Sequence, residues 1–300
     1  MGLFDFFRKK KVLKEEKVKV INEELKKAIS SLCKNEILIN INEFDDVLSP
    51  KSSKIGGKPY LPKSFIWPTY KSYDDNITRP LSFICQINLE ELNKYDIDSL
   101  LPKKGMLYLF YECESMTWGF DPKDLGATKV FYYENIDDFR ELELPKEIES
   151  HNIFPEILIE FEARKSYPST DEFEFYNSLE YDYEEYDDAL IDLGVELDLE
   201  NSKMLGYAEF IQNEALTQCE RMSRGLYCGD HESYANTPLE LQQEINTAAT
   251  NWILLFQMGT ISKADFEWMF GDCGYLYVYI KKSDLEEKNF DNIQFVLQCS

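Results

Sequence analysis

The chain has 300 residues, of which 44% are hydrophobic and 14% aromatic, with a net charge of −24. That apolar content is ample for a packed core and excludes a disordered chain, while the charge would repel phosphates and argues against nucleic acid as a ligand. No apolar run approaches the roughly 18 residues that span a bilayer.

At the start, residues 3–7 form a short apolar patch followed by Arg8, Lys9, Lys10 and Lys11. That order is wrong for a cleavable signal peptide. Residues 1–35 read as a basic arm and an amphipathic helix. The arm is either frayed or in weak contact with an anionic membrane surface. Helical spacing of Val18, Ile21, Leu25, Ile29 and Leu32 predicts a helix over about 15–33.

Residues 36–41 read as a strand. The stretch 56–68 carries Pro59, Pro62 and Pro68, which argue against regular structure, and Gly56-Gly57, which permits a turn or a close backbone approach. Trp67, between these stiff segments, is either a plug over the core or a pocket wall. Strands follow at 81–87, 105–111, 129–133 and 153–161, with Asn88 capping a short helix through Leu92.

Between residues 134 and 200 stand 23 acidic residues and four basic ones, and residues 171–200 contain no Lys or Arg. Leu179, Tyr183, Tyr186, Leu190 and Leu193 recur at helical spacing, predicting a docked helix that starts near Ser178 and stops at Gly194. Asp182, Glu184, Glu185, Asp187 and Asp188 would then face outward as one negative surface suited to a basic partner. A second helix is predicted through Ala208, Ile211, Ala215, Cys219 and Met222, and a third from Thr237-Pro238-Leu239-Glu240, which reads as a capping box. Strands at 252–258, 274–280 and 293–299 complete the chain, with one helical turn in 283–290.

One pattern occurs twice. Residues 81–87 (L-S-F-I-C-Q-I) and 252–258 (W-I-L-L-F-Q-M) are apolar strands carrying one glutamine, and each leads to a glycine and an aromatic strand. Gln86 and Gln257 lie 171 residues apart, and Gly105 and Gly274 lie 169 apart. The economical reading is an internal duplication. On it, residues 36–300 form a mainly β, α+β body, an antiparallel β roll of two related halves with peripheral helices. The first half covers about 36–165, an acidic helical insertion 166–200, and the second half 201–300.

These motifs in order (G-G-K-P-Y-L-P at 56–62, F-I-W-P at 65–68, Gln86 and Gln257 in their strands, M-L-G-Y at 204–207 with Gln212, and F-G-D-C-G at 270–274) resemble the YwqG-like family of bacterial proteins. The likeness spans about 37–299. It implies a roll-like fold from two related halves and no established activity, so no catalytic residue carries over.

Four residues are candidates for a ligand site between the halves. Gln86 and Gln257 are amides in apolar runs and need partners for two donors and a carbonyl; those partners are either loop backbone or a ligand. Trp67 and Asp272 complete the set, although Asp272 between glycines also suits a turn. Cys228 and His231 have C-x-x-H spacing, but with two histidines in the chain no second pair completes a zinc site. Seven scattered cysteines without C-x-x-C indicate a reduced, cytoplasmic protein. No metal or cofactor is expected. The sequence therefore reads as a non-catalytic binding protein for a basic protein, of the immunity or antitoxin kind. The alternative is a small-ligand sensor or enzyme working between the halves through Trp67, Gln86, Gln257 and Asp272.

Overall fold

A computed structural model describes residues 23–41, 49–195 and 201–300. The basic arm and residues 15–22 of the expected first helix lie outside the described residues. Helix α1 is described over 23–31 and buries Leu25 and Ile29.

Strands follow as β1 (Lys34–Ile41), β2 (Lys54–Ile55), β3 (Tyr60–Pro62), β4 (Thr69–Lys71), β5 (Thr78–Pro80) and β6 (Ser82–Asn88). Helix α2 (Leu89–Leu92) is capped by Asn88, whose side chain accepts from Glu90 N. Then come β7 (Met106–Tyr111), β8 (Thr128–Tyr133), β9 (Phe139–Glu141) and β10 (Ile157–Ser166). Helices α3 (Thr170–Tyr176) and α4 (Tyr183–Asp192) precede β11 (Lys203–Leu205). The chain continues with α5 (Leu216–Ser223), α6 (His231–Ala235), α7 (Leu239–Ala249) and β12 (Trp252–Met258). It ends with β13 (Ile261–Lys263), β14 (Phe266–Trp268), β15 (Tyr275–Lys281), α8 (Lys282–Glu286) and β16 (Gln294–Gln298).

Ten strands form one antiparallel sheet in the order β16-β15-β12-β11-β1-β10-β2-β6-β7-β8. Its ends curl toward each other. Tyr132 of β8 packs on Phe290 just before β16 at 5.4 Å between ring centroids, and Lys288 reaches Glu134 at 3.3 Å. Leu297 N on the outer edge of β16 donates to Trp118 O, so loop backbone covers that edge. The result is a nearly closed, barrel-like sheet in a mixed α+β fold.

Strands β7 and β15 are buried along nearly their whole length because successive side chains alternate between two packed faces. On β15, Leu276, Val278 and Ile280 join the main core, whereas Tyr275, Tyr277 and Tyr279 join a second core with Leu216, Cys219 and Ala249. On β7, Tyr111 points toward Phe295 across the barrel, and Phe110 packs outward on Phe65 and Trp67.

Several expectations shift. Tyr60–Pro62, expected to be irregular, pairs with Phe139–Glu141, since a two-stranded ribbon leaves Pro59 and Pro62 at its ends. Helix α4 starts at Tyr183, not near Ser178, because Asp182 and Glu185 form a capping box. Leu179 therefore precedes the helix and Tyr183 is 71% exposed, while Ala189 joins Tyr186 and Leu190 on the buried face. The C-terminal end is as expected: Gly194 takes φ +82° and Val195 N reaches back to Leu190 O. Helix α5 starts at Leu216, so Ala208 and Ile211 precede it. Thr237 does not cap α7; its hydroxyl donates to Ser233 O and accepts from Arg221.

Candidate functional site

Gln86 and Gln257 occupy matching surroundings. Gln86 faces Tyr108 on β7 and Lys54 on β2, and Gln257 faces Tyr277 on β15 and Lys203 on β11. Gln86 Oε1 accepts from Tyr60 N, and Gln257 Oε1 accepts from Glu209 N, both at 2.9 Å. Gln86 Nε2 donates to Pro50 O and Ser52 O; Gln257 Nε2 donates to Asn201 O and to the Glu209 carboxylate. The Tyr108 hydroxyl donates to Tyr60 O and the Tyr277 hydroxyl to Glu209 O. Both amides are fully buried, and every polar atom on them is engaged by the chain itself.

Each station also holds a buried lysine. Lys54 Nζ meets Glu156 at 2.5 Å, and Lys203 Nζ meets Glu36 and Glu209 at 2.9 Å each. Arg164 adds a 2.6 Å contact to Glu36. After each lysine the backbone enters the left-handed region for two residues, Gly56 (φ +60°) and Gly57 (φ +66°) in one case, Leu205 (φ +61°) and Gly206 (φ +72°) in the other. A Cβ on Gly57 would strike Glu156, and one on Gly206 would strike Glu36, so the glycines let the chain pass over the carboxylates. The lysines escaped the sequence reading, although S-K followed two residues later by a left-handed residue and then glycine is present at both places.

The four candidate ligand residues are not gathered. Gln86 and Gln257 lie on strands separated by β2, β10, β1 and β11. Trp67 packs against Phe110 at 5.3 Å and donates from Nε1 to Leu81 O. Asp272 is exposed in the turn before β15, where its carbonyl accepts from Ser300 N. His231 and Cys228 are separate from any cluster: among the described residues no group of three metal-ligating side chains occurs.

The acidic residues gather more closely. Helix α4 exposes Asp182, Glu184, Asp187 and Asp188, with Glu185 half-buried in the capping box. Its apolar face packs with Phe173 of α3 and with Leu25 and Ile29 of α1 as a separate small core. Next to it, Asp171, Glu174 and Phe175 of α3 form one wall of an open cleft of about 860 Å³, closed by Glu214, Thr217, Asn246 and Thr250. Glu214 and Asn213 also border a more enclosed chamber of about 470 Å³. Trp118 and Phe120 come to that chamber from the first half; Gln212, Gln218, Tyr234 and Gln298 come from the second.

Burial pushes the Glu214 carboxyl up from its ordinary value, countered by hydrogen bonds from Thr217. On α3 itself, Glu172 is buried and its Oε2 has no hydrogen-bond partner among the described residues. Burial pushes its carboxyl up to about 8, partly offset by Lys34.

Residues 53–299 match the model of DUF1963, a domain of unknown function, and the chain belongs to that family. No curated protein matches the chain. None of the described helices is long and apolar enough to cross a membrane.

Proposed function

We propose that this DUF1963 protein is a non-catalytic, cytoplasmic binding protein whose acidic face receives a basic segment of another protein. The observation that carries the reading is the juxtaposition of the exposed α4 carboxylates with the cleft carboxylates Asp171, Glu174 and Glu214, with no Lys or Arg in the cleft lining. Such a field speeds capture of a cation and weakens with salt over a Debye length of about 10 Å at 0.1 M. An immunity or antitoxin partner of a cationic toxin is the sub-class that fits. The test is capture from the native cells by the protein and by a variant carrying Asp182→Asn, Glu184→Gln, Asp187→Asn and Asp188→Asn. A basic protein should be held by the first, released by salt and missed by the second. Equal capture by both, or capture insensitive to salt, overturns the reading.

A second reading, a small-ligand sensor or enzyme between the halves, is favoured by the enclosed chamber, which both halves wall. Trp67, Gln86, Gln257 and Asp272 are not among its lining residues.

The architecture carries a proposal of its own: internal duplication, in line with the YwqG-like resemblance. Its support is the paired register Lys54–Gln86–Tyr108 and Lys203–Gln257–Tyr277, with the register shifting at the residue two before each glutamine. In the sheet, β11-β12-β15-β16 and β2-β6-β7-β8 then run outward in opposite directions from the central β1/β10 ladder.

A further inference from the structure

We propose that the chamber between Trp118 and Glu214 binds an organic cation, an ammonium or guanidinium carried on an alkyl chain. The inference rests on the reading above and names the group that the basic partner would insert. The chamber, of about 470 Å³, falls within the range of small-ligand pockets. Its walls combine aromatic rings with side-chain amides, and Glu214 is the one carboxylate in its lining. Trp118 is 39% exposed at its rim, and the indole N–H has no partner among the described residues. Tryptophan is the best ring for a cation, because its face is electron-rich.

Glu214 is suited to be the counter-charge. Its Oε2 accepts from Thr217 N at 2.9 Å at the start of α5, which fixes the carboxylate. It makes no salt bridge among the described residues. The guanidinium of Arg221 lies behind the Tyr234 ring, 4.0 Å from its centroid, bonded to Tyr227 O, Ser233 O and Thr237 Oγ1, and is not part of the lining. The wall is built rather than incidental: Gln298 is 3% exposed, accepts from Ile211 N and Gln212 N, and donates to Asn213 O, which holds the 211–214 loop in place. Asn213 and Glu214 line both this chamber and the open cleft that holds Asp171 and Glu174, so the two cavities adjoin.

The test is titration calorimetry of the whole protein with agmatine, spermidine and an end-blocked arginine-rich peptide. Glu214→Gln removes the charge but keeps an oxygen for Thr217 N, and Trp118→Ala alters a side chain at the surface, so two independent variants probe the chamber. Both should weaken all three cations at least about tenfold, while the fourfold α4 variant leaves agmatine unchanged. Unaltered affinities in Glu214→Gln and Trp118→Ala, or no binding of any of the three cations, overturn the inference. Peptide binding lost only in the α4 variant overturns the chamber and leaves the protein-partner reading standing. Small amines held through Glu214 while the peptide is refused support the chamber's chemistry and overturn the protein partner.

Discussion

The two lysine stations share their hydrogen-bond scheme and differ in how deeply their charges lie. At Lys54 the partner carboxylate, Glu156, keeps 41% of its side-chain surface in water. At Lys203 the partner Glu36 keeps only 2%, and Glu209 and Arg164 close a four-charge network around it. The outer coverings differ as well. Over β7 the 65–67 segment lays Phe65 and Trp67 onto Phe110, an apolar seal. Over β15 the corresponding position is Tyr279, fully buried with an unpartnered hydroxyl, and α5 and α7 cover that face beside the cleft. The same strand scaffold thus supports a dry side and a charged, open side. The open cleft of about 860 Å³ lies on the second side, lined by Thr217 of α5 and by Asn246 of α7.

Substitutions can break this contrast. The largest effect belongs to Lys203→Met, which leaves the buried Glu36 carboxylate with Arg164 as its one remaining cation and should cost about 3 kcal/mol in urea unfolding. Lys54→Met should cost about 1 kcal/mol or less, since Glu156 rehydrates; equal costs would erase the difference in depth. Gln86→Leu and Gln257→Leu each orphan a buried backbone N–H and two acceptor oxygens, so each should cost about 2–3 kcal/mol, alike for the two stations.

A smaller, pH-dependent effect is expected at Glu172. Its folded-state carboxyl sits near 8, above the usual 4.5, so the protonated form is the one folding favours. Its contribution is full below about pH 4.5 and is lost as pH rises through about 8. Glu172→Gln should therefore flatten the fall in melting temperature across that window, and an unchanged pH profile would remove Glu172 as its cause. The smallest change is Tyr279→Phe, which makes the open side resemble the seal over Phe110. It removes an unpaired buried hydroxyl and should be neutral or raise stability by up to about 1 kcal/mol.

Much of the strand pattern was legible because it is local. The alternation in 275–281, the Asn88 cap and the glycine stop at 194 each depend on neighbours in the chain. The paired glutamines were legible too, since a single amide in an apolar run stands out. The helix starts were less so: at Ser178 and Thr237 the residue type suited a cap, but Asp182 took one helix and Arg221 engaged the other hydroxyl. The chamber was not legible. Trp118 and Glu214 are far apart in sequence, and their shared lining follows from the closure of β16 against the 116–120 loop.

By itself the sequence determined that this chain builds an antiparallel β body with acidic helices at its edge, since hydrophobic period and turn chemistry act over a few residues. Only the tertiary structure decided that β1 is inserted between β10 and β11, that Lys54 and Lys203 are buried rather than solvated, and which carboxylates face a cavity. Those outcomes depend on strand register and on the dielectric around each charge, and both are set by residues distant in the chain.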